Sequence, residues 1–230
     1  MSAPERLRKL DSCAVSDALD SLNRLNRLNR PSGRGAVSGI RPLTGPAMIA
    51  GRVVTVKLVP VEDGRGAKSS QHLCTAAIEG ANPGDVIVIE HHGRDDCAGW
   101  GGILSLAAKK RGLAGTIVDG LARDIDESRE AAYPVFARAA TPATARGRIV
   151  EDDWNVAITI GGVEVRPGDL VIADGSGIVF VKAEHEQEVL EVAEAIAARE
   201  RAMAKAVEAG TRVSEVMGGD YETMLGDDDG

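Results

Sequence analysis

The sequence predicts a single α/β domain, and three features of the 230-residue chain support this. First, a glycine-rich stretch at 97–102 leads into an apolar helical run and then into a β-branched strand at 116–118. Second, apolar runs at 51–59, 86–90 and 170–173 suit buried strands. Third, residues 183–209 carry the spacing of a long amphipathic helix. Helices that alternate with buried strands are typical of α/β folds.

Composition limits the classes of protein to which the chain can belong. An apolar content of 43% is enough for a real core. The formal net charge of -8 disfavours nucleic acid as a partner, because phosphate binding needs a basic surface. No signal-like or membrane-length apolar stretch occurs, so we expect a soluble, cytoplasmic protein without a membrane partner. The three cysteines lack C-x-x-C spacing, which argues against disulfides and cysteine-based metal sites.

The first third of the chain is predicted to be two helices, a loop and a strand. Apolar spacing over 4–22 indicates helices that break near Asp11 and Ser12. The LNR repeat at 22–30 is interpreted as a solvated helix end or turn, with a subunit contact as the alternative. Glycine, proline and serine over 31–50 predict a loop, and the strand at 51–59 follows.

The remaining elements follow from turn signals and apolar periodicity. A short helix is predicted at 71–79, where His72 is interpreted as a surface histidine and not a ligand. Two Pro-Gly-Asp turns precede the strands at 86–90 and 170–173. A hairpin is predicted over 155–165, and another strand over 177–181. We expect the helix over 183–209 to contribute to a subunit interface.

The glycine loop and the strand after it predict the functional site. The glycines before Ile103 leave backbone N–H groups uncovered at a helix N-terminus, an arrangement that attracts anions. The strand at 116–118 delivers Arg123 and Asp124 just past its carboxyl end, where ligands of α/β folds collect. A carboxylate plus waters is a sufficient protein contribution for magnesium, and an arginine fork suits a carboxylate or enolate.

Several motifs along the chain resemble those of the RraA-like family, which includes the 4-hydroxy-4-methyl-2-oxoglutarate/4-carboxy-4-hydroxy-2-oxoadipate aldolases. They are a DAL at 17–19, the two PGD turns, the G-x-x-G-x-x-x-D-G-x-x-R-D run at 112–124 and YPVF at 133–136. The resemblance implies a swivelling β/β/α domain over 1–218, with flanking N-terminal helices and a long C-terminal helix, before an acidic flexible tail at 219–230. It also implies homotrimers or homohexamers with active sites between subunits.

The resemblance also implies roles for individual residues. Arg123 would bind the pyruvyl part of a small 2-oxo-acid substrate, and Asp124 would hold a divalent metal, Mg or Mn. The substrate carboxylate would be bound by backbone groups of the loop, namely those of Gly101, Gly102, Ile103 and Leu104. Glu200 would act across the subunit boundary, although a solvated helix glutamate is an equally good interpretation.

One position departs from the aldolase pattern. Those enzymes have an acidic residue where this chain has Gly102, and that residue helps to hold a metal-bound water for proton transfer. The polar loop at 91–96 offers a substitute, since His92 suits acid/base chemistry and Asp96 would order a water. The alternative is a polar loop without a catalytic role.

The leading hypothesis is a metal-dependent lyase, a class II aldolase that cleaves a 4-hydroxy-2-oxo acid to pyruvate. Oxaloacetate decarboxylase activity would follow from the same enolate. A second hypothesis is an RraA-type regulator that binds an RNA-degrading endonuclease, but a glutamine is expected there in place of Asp124. A third is a different oxo-acid or lactone reaction in the same pocket, because of Gly102.

Overall fold

The computed structural model describes residues 1–25, 35–63 and 72–218. The helices in this part of the chain are α1 (Ala3–Leu7), α2 (Ser12–Arg24), α3 (Thr75–Gly80), α4 (Gly102–Arg111), α5 (Ile125–Glu130), α6 (Glu186–Glu208) and α7 (Val213–Val216). The strands are β1 (Ala36–Val37), β2 (Arg41–Pro42), β3 (Ile49–Pro60), β4 (Val86–Glu90), β5 (Ala98–Trp100), β6 (Gly115–Ala122), β7 (Val135–Ala140), β8 (Ile149–Trp154), β9 (Ile158–Ile160), β10 (Val163–Val165), β11 (Leu170–Ala173) and β12 (Ile178–Val181).

A mixed ten-stranded sheet forms the centre of the fold. Its main path runs β1-β12-β11-β3-β4-β6-β7-β2, while β5 pairs with β6 and β8 pairs with β3. The pairs β3–β4, β4–β6 and β6–β7 are parallel, so the carboxyl ends of these strands meet at one edge of the sheet. The predicted α/β class is confirmed.

Apolar side chains pack in three clusters around this sheet. One cluster places α3 and α4 against the parallel strands, and a second packs α1, α2 and α6 against β11 and β12. The third joins the β9–β10 hairpin to the sheet. Gly161 and Gly162 form the hairpin turn, both with positive φ, as the glycine pair in the sequence predicts. Within the described ranges, no helix is long and apolar enough to cross a membrane.

The N-terminal helices separate where the sequence predicts. The Asp11 carboxylate accepts a hydrogen bond of 2.8 Å from Ala14 N, so Asp11 caps α2 and ends the preceding turn. Most of the LNR repeat and the whole acidic tail at 219–230 lie outside the described residues. The predicted extents of the N-terminal repeat and of the tail therefore stay predictions.

Some elements differ from those that the sequence predicts. Strands β7 and β8 were not predicted, because their outer residues are polar or only partly buried and so lack a clear apolar alternation. Helix α3 begins at Thr75, since Cys74 before it has a positive φ of 68°. Residues 183–185 form a 3₁₀ turn ahead of α6. The region predicted as loop contains the short strands β1 and β2.

Candidate functional site

Strand β5 brings the glycine loop beside the end of β6. The Arg123 N–H donates a hydrogen bond of 3.0 Å to Trp100 O, and Ala98 is paired with Leu121. This pairing places the start of α4 directly against the start of α5. A cavity of about 580 Å³ opens beside this junction of the two helices. Its lining includes six of the predicted site residues, namely Gly101, Gly102, Ile103, Leu104, Arg123 and Asp124.

Asp124 is held in an uncommon backbone conformation at the first turn of α5. Its φ of 53° and ψ of 45° are left-handed, a region in which aspartate is better tolerated than most residues. Its carboxylate Oδ2 accepts a hydrogen bond of 3.0 Å from Gly102 N and lies 3.4 Å from Arg123 Nε. Among the described residues Oδ1 accepts no hydrogen bond, so this oxygen is the one available to a ligand.

The first turn of α4 faces the same cavity. Gly101 caps the helix, and a Cβ at that position would stand 2.8 Å from Asp124 Oδ2, so a side chain would collide with the carboxylate. The Gly102 N–H is already used by Asp124, which leaves the N–H groups of Ile103 and Leu104 at the open helix terminus. An anion at this end of α4 is therefore favoured by these two amides and by the helix dipole.

Two buried serines, Ser105 on α4 and Ser128 on α5, connect these two helices next to the site. Trp100 Nε1 donates to Ser105 Oγ at 2.8 Å, and Ser105 Oγ lies 2.7 Å from Ser128 Oγ. Ser128 Oγ in turn donates to the backbone oxygen of Asp124 at 3.0 Å. Ser105 Oγ also lies 3.3 Å from Gly101 O, so its one proton has two acceptors, Gly101 O and Ser128 Oγ. These hydrogen bonds therefore link Trp100 and the Gly101 carbonyl to the backbone oxygen of Asp124.

The donor set suits a divalent metal with few protein ligands. The described residues contain no group of three or more histidine, cysteine or acidic side chains that would form a complete metal site. Asp124 Oδ1 is a hard oxygen, and magnesium binds proteins through one or two carboxylates while keeping several waters. The residues present therefore fit one carboxylate ligand from this chain, and further ligands would be water, substrate or a neighbouring subunit.

The other predicted acid/base residues do not join this cavity. His92 and Asp96 are exposed and absent from the lining, because the chain turns away after β4. Bidentate hydrogen bonds from Arg94 lower the pKa of Asp96 to about 2, so this carboxylate does not exchange protons near neutrality. The structure therefore does not support the loop at 91–96 as the substitute for the missing acidic residue.

Glu200 also lies apart from Arg123 and Asp124 within one chain. It sits on α6, where burial raises its pKa and the nearby Asp11 and Asp17 raise it further. Glu200 does not line the cavity of its own chain, so it would reach such a cavity only in a neighbouring subunit. The buried thiol of Cys97 has a pKa raised by burial and by the neighbouring Asp96 carboxylate, which disfavours the nucleophilic thiolate.

Three polar residues that line the cavity were not predicted from the sequence as site residues. Glu151 on β8 lines it, together with His72 and Arg146. Burial raises the pKa of Glu151, while the hydrogen bond from Cys74 N to Oε2 lowers it. Nothing in the run IVEDDW distinguishes Glu151 from its acidic neighbours. Only the pairing of β8 with β3 places it in the cavity.

The chain is similar to several known proteins. The family described as RraA-like: Aldolase/RraA matches residues 12–180. A Halalkalibacterium halodurans protein, named provisionally as a 4-hydroxy-4-methyl-2-oxoglutarate aldolase, is 32% identical over 88% of this chain and 87% of its own length. DlpA of Legionella pneumophila is 28% identical over 92% of this chain, which spans only 33% of DlpA.

Two solved structures share the fold. An uncharacterized protein from Pseudomonas syringae pv. tomato has a TM-score of 0.80 at 31% identity, over 94% of this chain and 96% of the other. Streptomyces coelicolor RraAS2, described as an unusual member of the RNase ES inhibitor RraA protein family, has a TM-score of 0.72 at 27% identity. That match covers 86% of this chain and 93% of RraAS2.

Proposed function

Because this chain belongs to the RraA-like family, we propose that it is a divalent-metal-dependent lyase that releases pyruvate from a 4-hydroxy-2-oxo acid. One observation carries the proposal. Arg123, Asp124 and the open N-terminal turn of α4 line the same cavity, and Asp124 accepts a hydrogen bond from Gly102 N in that turn. This arrangement combines a fixed cation, a carboxylate oxygen and two free amides within one small pocket, the set that a 2-oxo acid requires.

Each residue has a distinct part in binding the 2-oxo acid. Asp124 would hold the metal through Oδ1, while Gly102 N fixes the other carboxylate oxygen. A bound Mg²⁺ or Mn²⁺ would supply Lewis-acid polarisation of the 2-oxo group. Arg123 keeps 40% of its side chain exposed, so its guanidinium is available to the substrate. The amides of Ile103 and Leu104 would bind the C1 carboxylate.

The same residues favour cleavage of the C3–C4 bond. Cleavage leaves negative charge on the pyruvyl fragment as an enolate, and Arg123 faces the place where that charge develops. Decarboxylation of oxaloacetate leaves the same enolate, so we expect this activity from the same pocket. Both reactions break the C3–C4 bond, and they differ in the fragment that leaves, a carbonyl compound in one case and CO2 in the other.

We also propose that the site is completed by a neighbouring subunit in a homotrimer or homohexamer. Ile103, in the first turn of α4, is 86% exposed beside the cavity, and Leu106 one turn later is 49% exposed, so α4 presents an apolar surface that a partner would cover. A neighbour that covers Ile103 would bring its own residues to the rim of the cavity. Glu200 would be the residue that it contributes, in keeping with its distance from Asp124 in one chain.

A substrate panel tests the proposed reaction. Purified protein should release pyruvate from oxaloacetate or from 4-hydroxy-2-oxo acids with Mg²⁺ or Mn²⁺, and EDTA should abolish the release. The Asp124→Ala variant should show no metal-dependent activity. A folded wild-type protein that released no pyruvate from any of these substrates would refute the proposal.

A regulator of an RNA-degrading endonuclease is the second candidate, supported by the similarity to RraAS2. Such a protein would need a docking surface and no metal. Retention of Asp124 with a free Oδ1 favours the lyase. Tight binding to such an endonuclease that persists in EDTA and in the Asp124→Ala variant, without pyruvate release, would reverse this ranking.

A further inference from the structure

The cavity needs a group that moves protons, and Gly102 cannot supply one. Among the described side chains that line it, the charged or titratable ones are His72, Arg123, Asp124, Arg146 and Glu151. An arginine side chain is a poor acid/base group because its guanidinium does not lose its proton in proteins. Asp124 is assigned to the metal under the proposed function. His72 and Glu151 therefore remain as the candidate groups.

Glu151 is the better positioned of these two. It is half-buried on β8, where pairing with Leu58 of β3 fixes its backbone, whereas His72 is exposed. The Cys74 N–H donates a hydrogen bond to Glu151 Oε2, and Cys74 holds a left-handed backbone with a φ of 68°. A carboxylate that is anchored at one oxygen keeps the other oxygen for a second partner.

The surroundings of Glu151 also suit proton transfer. Burial raises its pKa, and the neighbouring Asp153 carboxylate raises it further. The Cys74 N–H and His72 lower it, and the Cys74 thiol is itself kept protonated by burial. A carboxyl group whose pKa is shifted toward neutrality both accepts and returns a proton more readily.

We infer that Glu151 is the catalytic acid/base of this cavity and takes the place of the acidic residue that Gly102 replaces. The inference rests on the proposed lyase function. The Glu151 carboxylate removes the proton of the substrate C4 hydroxyl, and the C4–O bond becomes a carbonyl. The electron pair of the broken C3–C4 bond forms the C2–C3 enolate. Glu151 then returns the same proton to C3, which becomes the methyl group of pyruvate, so no oxidant or reductant is consumed.

The Glu151→Gln variant tests this role, because its amide oxygen still accepts the hydrogen bond from Cys74 N. We expect kcat to fall by about 100-fold or more, with little change in KM. Incorporation of solvent deuterium into the pyruvate methyl group should fall equally. The rise of kcat with pH that reports the Glu151 ionisation should disappear. Binding of oxalate, which mimics the enolate, should be retained by calorimetry.

Glu164→Gln is the matched control, since Glu164 is exposed on β10 and pairs with Arg166 outside the cavity. It should leave kcat, deuterium exchange and the pH profile unchanged. Should Glu151→Gln fail to fold, Glu151→Asp keeps a carboxylate on a shorter arm. It should lower kcat while retaining the pH dependence.

The outcomes separate the two proposals. If the wild-type protein releases pyruvate and Glu151→Gln retains its kcat and exchange rate, the role of Glu151 is refuted while the lyase function stands. If the wild-type protein neither releases pyruvate nor exchanges its methyl protons, the lyase function fails and the role of Glu151 falls with it. A loss of oxalate binding together with kcat would assign Glu151 to substrate binding and refute an acid/base role.

Discussion

The amide of Gly102 donates a 3.0 Å hydrogen bond to Asp124 Oδ2, and a Cβ at position 102 would stand 3.1 Å from Asp124 Cβ. The same Cβ would lie 3.0 Å from Glu127 Cβ. Both distances are tighter than ordinary van der Waals contact between carbons. The first turns of α4 and α5 therefore pack so closely that an acidic side chain at 102 would require α5 to shift.

This packing predicts the cost of a side chain at position 102. Gly102→Ala should lower the free energy of unfolding by about 1 kcal/mol, because crowding against α5 outweighs the gain from replacing glycine in a helix. In thermal unfolding this corresponds to a decrease of about 2–4 °C. Gly175→Ala is the control, since nothing lies within 4 Å of its Cβ. A Gly102→Ala variant as stable as this control would contradict the prediction.

Asp124→Asn separates the metal-binding role of Asp124 from its structural role. Asparagine tolerates the left-handed backbone and still accepts the hydrogen bond from Gly102 N, so stability should stay within about 0.5 kcal/mol of wild type. Affinity for Mn²⁺, measured by calorimetry, should fall by about 100-fold or more, together with pyruvate release.

The control for this variant is Asp126→Asn, which alters an exposed carboxylate in the same turn of α5. It should leave Mn²⁺ binding and pyruvate release unchanged. Unaltered Mn²⁺ affinity in Asp124→Asn would show that Asp124 is not the metal ligand.

The hydrogen bonds of Ser105 and Ser128 predict that removing one of these hydroxyls lowers both stability and activity. Ser128→Ala removes the hydroxyl that bonds to Ser105 Oγ and to the Asp124 backbone oxygen, which should cost about 1–3 kcal/mol in urea unfolding. Because Asp124 is positioned through this contact, kcat/KM should fall by about 10-fold. Ser176→Ala, at an exposed turn, should change neither quantity. Unchanged kcat/KM in Ser128→Ala would restrict the serines to a structural role.

The raised pKa of Glu200 predicts that the stability of the fold depends on pH, whether or not a metal is bound. The folded-state pKa of Glu200 is raised, first by burial and then by Asp11 and Asp17, so the folded protein holds this proton more tightly than the unfolded chain. Stability from this group is greatest at acidic pH and falls as the pH rises from the unfolded value toward the folded one. In EDTA, Glu200→Gln should therefore raise the thermal midpoint at pH 7, by about 2 °C or less, and leave it unchanged at pH 3.

Pyruvate release provides a second measurement on the same Glu200→Gln variant. If Glu200 completes a neighbour's cavity, pyruvate release should fall although stability does not. Equal activity in Glu200→Gln and wild type would show that this glutamate is only a helix residue with acidic neighbours.

The sequence by itself determined the α/β class and the position of Arg123 and Asp124 just past the end of a buried strand. These features depend on short-range patterns: a β-branched strand, a glycine that ends α4, and a residue pair just past the strand. Local periodicity and backbone preference fix such elements before any distant contact forms. The family motifs lie in the same continuous stretch, which is why they were recognisable without the fold.

Only the tertiary structure decided which other groups reach that pair. Glu151 follows Arg123 by 28 positions and enters the cavity through the antiparallel pairing of β8 with β3, which no local pattern in the sequence specifies. His92 and Asp96 are nearer to the glycine loop in sequence, yet neither lines the cavity; both are exposed, and Asp96 pairs with Arg94. Strand pairing and packing are non-local, so they determine the acid/base side of the cavity, whereas the local sequence determines its Arg123–Asp124 side.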